Sequence, residues 1–169
     1  MSGYHADESE LESSAVNTNT GSGRRLNDLP KKVNHKKWMG DVKDQGACGS
    51  CAAFAATTAL EGTIAKKVTK DTPVHISEQH LVDCTMDTDK TRELFGELKA
   101  YAGGCNGGHM NTHWQFMMDH GSMTINDYPY NAQVGECVHD VDDIYAKVAS
   151  YSGSIGRNDV EAMMEVVAE

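Results

Sequence analysis

Cys48-Gly49-Ser50-Cys51 is the stretch of this chain whose residue types and spacing could do chemistry. Two cysteines bracket a Gly-Ser pair, and a run of small residues follows from Ala52 to Ala59. This pattern predicts a tight turn feeding the first turn of a helix. Helix N-termini favour anions, and the thiolate is the nucleophilic form of cysteine. Gln45, six residues before Cys51, could aim an amide N–H at a developing oxyanion. The C-x-x-C spacing alone leaves three chemistries open: a redox pair, half of a zinc site, or one catalytic and one structural cysteine.

The other chemistry-bearing residues are scattered. Five cysteines, at 48, 51, 84, 105 and 137, make an odd number, which suits two disulfides and one free thiol in an oxidising compartment. The polar, acidic start, Met1-Ser2-Gly3-Tyr4-His5-Ala6-Asp7, does not read as a signal peptide, so the cysteine usage suggests that the start of a longer chain is absent. A net charge of −10 argues against nucleic acid as a partner. No apolar run approaches membrane-span length. No phosphate-cradling motif or repeat occurs, and neither a cofactor nor a bound metal is expected. Arg24-Arg25 reads equally as a processing site or as two solvated arginines.

The elements that would position these residues can be read in order. Residues 1–28, rich in Ser, Thr, Asn and Gly, read as a disordered linker or the end of a propeptide. Residues 33–44 read as extended. A helix is predicted over 50–67, with Phe54, Leu60 and Ile64 on its apolar side and Glu61 as either an ion-pair partner or a surface residue. Val74–Ile76 reads as extended, and Ser77 as the cap of a helix over 78–84. The spacing of Leu94, Leu98 and Tyr101 predicts a surface helix over 92–101. Gly103-Gly104-Cys105-Asn106-Gly107-Gly108 is too glycine-rich for a regular element; it could offer its own peptide groups to an extended ligand, and its cysteine suggests a pinned loop. A helix over 109–120, with Met110, Trp114, Met117 and Met118 buried, would end at Gly121. Tyr128-Pro129-Tyr130 reads as a rigid extended corner, and Asn158-Asp159-Val160-Glu161 as a capping box opening a last helix.

Several ordered motifs resemble the papain family of cysteine peptidases. They are Leu29-Pro30 with Val33-Asn34, then Val42 to Gly46 leading into Cys48-Gly49-Ser50-Cys51, then Leu60-Glu61-Gly62. Ile76-Ser77-Glu78-Gln79-His80-Leu81-Val82-Asp83-Cys84, Gly104 to Gly108, and Tyr128-Pro129-Tyr130 follow. The resemblance spans 29–169 and implies an α+β, papain-like fold, of which this chain would hold mainly the helical domain. It implies Cys51 as nucleophile and Gln45, with the Cys51 backbone N–H, as oxyanion donors. Asn106, Gly107 and Gly108 would form a strand-like wall for the substrate backbone, with His109 and Met110 at the main side-chain pocket. It also implies Cys48–Cys105 and Cys84–Cys137 disulfides, each closing more than fifty residues.

Departures from the family pattern bear on activity. Ala52 stands where an aromatic residue follows the nucleophile, and Ala55 replaces a serine; His35 replaces an early tryptophan. The 20 residues between Cys84 and Cys105 exceed the usual number. The catalytic histidine lies about 130–150 residues past the nucleophile in the family, followed by an orienting asparagine. Glu169 falls short of that, so the chain reads as a fragment lacking the β-rich half. His120, in Asp119-His120-Gly121, has a superficially similar context but fits a helix end; His75, His80, His109, His113 and His139 have no better claim to be the base. The expectation is a cysteine-type peptidase acting on polypeptides through an acyl-enzyme, inactive as this chain alone, and a monomer when complete. An inhibitory propeptide would be a partner, and a lysosome, vacuole or extracellular location is implied. The alternative is a non-catalytic papain-like module that binds peptide or protein. A thiol–disulfide oxidoreductase using Cys48 and Cys51, or a four-cysteine zinc site, accounts for none of the other motifs.

Overall fold

The computed structural model describes residues 28–151 and 160–168. The reading of 1–28 as a linker therefore lies, Asp28 apart, outside the described residues, as do Arg24-Arg25 and the caps at Asn158 and Asp159. Helix α1 (Cys51–Thr63) is followed by a π-helical turn, Ile64–Thr69. Then come α2 (Glu78–Cys84), α3 (Asp89–Phe95) and α4 (Met110–Asp119). Strands β1 (Ser122–Met123) and β2 (Ile144–Ala146) pair antiparallel, and α5 (Val160–Ala168) is the last element.

The buried face of α1 is set by small residues. Ala52, Ala53, Ala56, Thr57 and Glu61 are buried, whereas Phe54, Leu60 and Ile64, expected to mark that side, are only partly covered. Alanine lets α1 approach α4 closely, and the Trp114 indole N–H reaches the Ala56 carbonyl at 3.4 Å. Between them lies a core of Ala53, Ala56, Leu81, Phe116 and Met117, closed by both disulfides. On α4 the buried residues are Thr112, His113, Phe116 and Met117. Met110 is exposed and Trp114 and Met118 are half-buried, contrary to the sequence pattern, because the face that α4 turns to the core carries Thr112, His113, Phe116 and Met117 instead.

Helix α2 is buried along its whole length, although four of its seven residues are polar. Ser77 caps it by accepting the His80 N–H at 3.0 Å. Each of its polar side chains makes at least one hydrogen bond, although Glu78 Oε2 is left without a partner among the described residues. Gln79 donates to the Gln133 carbonyl and to Asp83, and accepts the Asn131 N–H. Asp83 also accepts the Gly135 N–H and the Tyr128 hydroxyl. Glu78 and Glu61, both buried, receive the Lys43 ammonium at 2.5 and 2.6 Å. Glu61 is therefore an ion-pair partner, and it also accepts the Ile76 N–H at 2.7 Å.

Two predicted elements move. The helix expected over 92–101 runs instead over Asp89–Phe95, because Thr88 and Thr91 form a reciprocal cap at its start and Gly96, at φ 71°, ends it. The stretch expected to be extended contains a 3₁₀ turn at Lys36–Trp38.

Candidate active site

Cys51 is the first residue of α1, and its side chain is exposed. Among the five cysteines it is the free one: Cys48 is bonded to Cys105 and Cys84 to Cys137. Cys48 and Cys51 are thus not a redox pair in this structure, and among the described residues no cluster of His, Cys, Asp or Glu could hold a metal ion. The first N–H groups of an α-helix have no intrahelical acceptor, so the Cys51 N–H is available at the thiol's own position.

The turn before the helix is fixed from three sides. Gln45 Nε2 donates to the Cys48 carbonyl at 2.7 Å. A primary amide carries two N–H bonds, so one remains to be given elsewhere. Tyr130 Oη donates to the Gln45 carbonyl at 2.8 Å and lies 2.7 Å from Ser50 Oγ, which can donate to it in turn. Its ring meets Phe54 edge-on at 4.9 Å between centroids. The Gly49 N–H donates to the Cys105 carbonyl at 2.9 Å, and a parallel bridge joins Gly49 to Asn106. A methyl group at Gly49 would stand 2.4 Å from that carbonyl oxygen, so only glycine fits.

The same contacts bring the glycine loop beside the turn that leads into Cys51. The Gly103 N–H takes the Gly107 carbonyl and the Asn106 N–H takes the Gly103 carbonyl. Gly107 has φ 99°, a backbone that side chains resist. Gly108, His109 and Met110 are exposed and take no part in those two bonds. Ala52, directly after Cys51, is buried, and its methyl group brings no ring beside the thiol.

None of the described histidines is hydrogen-bonded to Cys51. His120 caps the C-terminus of α4, and His113 is buried under Gly108, with burial pulling it down to about 4. Sequence reading missed His113 and Tyr130 as parts of this region. For Tyr130 the signal was there, in a tyrosine held by a rigid Pro; for His113 the helical spacing placed it beside Phe116 and Met117.

The model of the papain family cysteine proteases matches residues 29–169. The chain belongs to the papain family of cysteine proteases. Vignain from Phaseolus vulgaris is 37% identical over 144 residues, which are 83% of this chain and 35% of that protein. Cysteine proteinase 1 of Entamoeba histolytica is 33% identical over 145 residues, 83% of this chain and 42% of that one. Among solved structures, digestive procathepsin L 3 of the Tenebrio molitor larval midgut superposes with a TM-score of 0.58 at 31% identity. That match covers 75% of this chain and 36% of the other. The chain thus spans well under half the length of these relatives. The helix-rich, two-stranded architecture corresponds to the helical domain of the papain-like fold.

Proposed function

We propose that this papain-family chain supplies the nucleophile, the oxyanion donors and one substrate wall of a cysteine peptidase. The observation that carries the reading is one arrangement: a single exposed free thiol at the start of α1, next to a fixed Gln45 amide and a glycine wall disulfide-linked to the same turn. In that reading Cys51 Sγ attacks a peptide carbonyl, and the second Gln45 N–H with the Cys51 N–H holds the oxyanion. The Asn106–Gly108 segment binds the substrate backbone, and His109 and Met110 border the side-chain pocket. A histidine takes the thiol proton, and water releases the acyl-enzyme. That histidine, with its orienting asparagine, belongs to a β-rich half beyond these residues. Residues 29–169 act as one incomplete peptidase domain. The substrate is a polypeptide, a propeptide is a natural inhibitor of the complete protein, and the working form is a monomer. Two disulfides support a lysosomal, vacuolar or extracellular setting.

Purified chain should alkylate at Cys51 with a peptidyl chloromethyl ketone but turn over fluorogenic peptides negligibly. Peptide mapping of the adduct and a turnover assay check both. A rate within roughly tenfold of an intact papain-like enzyme would overturn the assignment of the base to another segment. The second reading, a non-catalytic peptide-binding module, is favoured by Ala52. It gains if Cys51 reacts no faster than a free thiol when a histidine-bearing half is supplied.

A further inference from the structure

Away from Cys51, three histidines from separate elements converge. His80 belongs to α2, His120 caps α4, and His139 follows Cys137 by two residues. The His80 and His139 rings stack at 5.2 Å between centroids, and His120 stands edge-on to His139 at 6.3 Å. Phe95 and Phe116 fill the space among them, each packed against His120 and His139. His80 is fully buried.

The hydrogen bonds of His80 and His139 hold both of those rings neutral. His80 Nε2 and His139 Nδ1 are 3.0 Å apart, so one carries a proton and the other a lone pair. The Met123 N–H points to His80 Nδ1 at 3.5 Å. His80 Nδ1 must then be bare, and its proton sits on Nε2 and is given to His139 Nδ1. His139 carries its own proton on Nε2. An added proton on His139 Nδ1 would face the His80 N–H, and one on His80 Nδ1 would face the Met123 N–H. Either protonation replaces a hydrogen bond by two opposed donors.

The surroundings compensate such a charge only in part. From α4 Asp119 favours the charged form of His120, although it is itself paired with Lys99 and Gln115. On the strap after Cys137, Asp140 favours the charged form of His139, while Lys147 disfavours it in both His139 and His120; Lys99 acts likewise on His120. Tyr128, tilted against His80 at 5.5 Å, spends its hydroxyl on Asp83 of α2 and is pushed up to about 12, so it stays neutral. Phe95 is the contact from α3. Burial pulls all three imidazoles down, His80 to about 3, with the neighbouring histidines adding to its shift.

We propose that His80, His120 and His139 form an acid-released latch holding the strap of residues 138–147 on the helices. At neutral pH the neutral cluster keeps the strap seated, with β2 paired to β1. On protonation the outer histidines part and the strap lifts, while the Cys84–Cys137 disulfide keeps it tethered. Each proton taken up on opening makes the open state about tenfold more populated per unit fall in pH, below the ordinary histidine range.

Nitrogen-15 spectra of the unmutated chain at pH 7 test the neutral arrangement first. They should show His80 and His139 both protonated on Nε2; a proton on His80 Nδ1 would overturn the latch. Amide exchange, corrected for intrinsic rates, should then accelerate at Met123 and 144–146 between pH 7 and 5, while Ala53 and Ala56 of α1 stay protected. In His139→Asn the side-chain oxygen can replace Nδ1 without titrating, and the acceleration should shrink by about tenfold or more. Exchange in α1 rising in step with the strap, or an unchanged slope in His139→Asn, would mean there is no local latch.

Discussion

The two disulfides close loops of nearly equal span, 57 and 53 residues, yet they hold different things. Cys48–Cys105 joins two irregular segments, the turn before Cys51 and the glycine-rich loop that the proposed function makes a substrate wall. Around it peptide groups bond to each other, Gly49 to Cys105 and Gly103 to Gly107, and the Gln45 amide and Tyr130 hydroxyl donate to the Cys48 and Gln45 carbonyls, so no charged group takes part in these bonds. Cys84–Cys137 joins the buried helix α2 to a half-exposed strap, and around it the bonds run through side chains: Asp83, Tyr128, His80 and His139. One region is fixed by its disulfide and by uncharged donors on backbone carbonyls, the other by bonds that include a carboxylate and a histidine pair. In the proposed function the site aims a thiol and two N–H groups, and it gains from the first kind of fixation, because bonds without charged groups do not change with pH.

Removing each disulfide separates the two roles. In the chain-entropy model either loss costs about 4 kcal/mol. The double variant Cys48→Ser with Cys105→Ser and the double variant Cys84→Ser with Cys137→Ser should therefore lower stability similarly in chemical denaturation. Only the first should change the rate at which a peptidyl chloromethyl ketone alkylates Cys51, because only it frees the wall from the turn. Equal effects on alkylation would show that the two regions are not distinct.

A smaller perturbation acts on the first region alone. In Gly49→Ala the new methyl group, 2.4 Å from the Cys105 carbonyl oxygen, must push the turn and the wall apart. Overpacking of this kind costs about 1–3 kcal/mol. The amide exchange of Gly103 and Asn106 should rise, and that of Met123 should not. A variant as stable as the parent would mean that the turn and wall can slide past each other.

Much of this was legible in the sequence, for a physical reason. The motif from Ser77 to Cys84 stands out because its polar residues are buried and each needs a specified partner: Ser77 for the cap, Glu78 for Lys43, Gln79 and Asp83 for the loop at 131–135. Such residues cannot be exchanged for others of similar polarity, so they carry family resemblance. The same holds for Gly49 and Gly107, fixed by a close approach and a positive φ. The α3 boundary was not legible because Thr88 and Thr91 cap each other while Leu98 and Tyr101 happen to continue the helical spacing. The exposed side of α1 was misread for a similar reason. Phe54 borders an open groove with Trp38, Met39 and Val166, and hydrophobicity alone does not say which apolar face is covered. The histidine cluster needed three segments to meet, and no local pattern encodes that.

Tyr130→Phe makes the smallest change and tests the first region most finely. The ring stays on Phe54 at 4.9 Å, so packing is kept. What disappears is one hydroxyl, which donates to the Gln45 carbonyl and stands 2.7 Å from Ser50 Oγ. The buried Ser50 hydroxyl keeps only a long contact to the Cys48 carbonyl at 3.5 Å, and the Gln45 carbonyl is left to water. A lost bond of this kind costs about 1 kcal/mol. The expected result is a fall in stability of that size, with faster exchange at the Gly49 and Ser50 amides and no change at Met123. If exchange instead rose at Met123 and stayed constant at Gly49, the Tyr128–Pro129–Tyr130 corner would be serving the strap. The turn would then be held by the disulfide, the Gly49 bond and the Gln45 amide, with the Tyr130 hydroxyl adding too little to register.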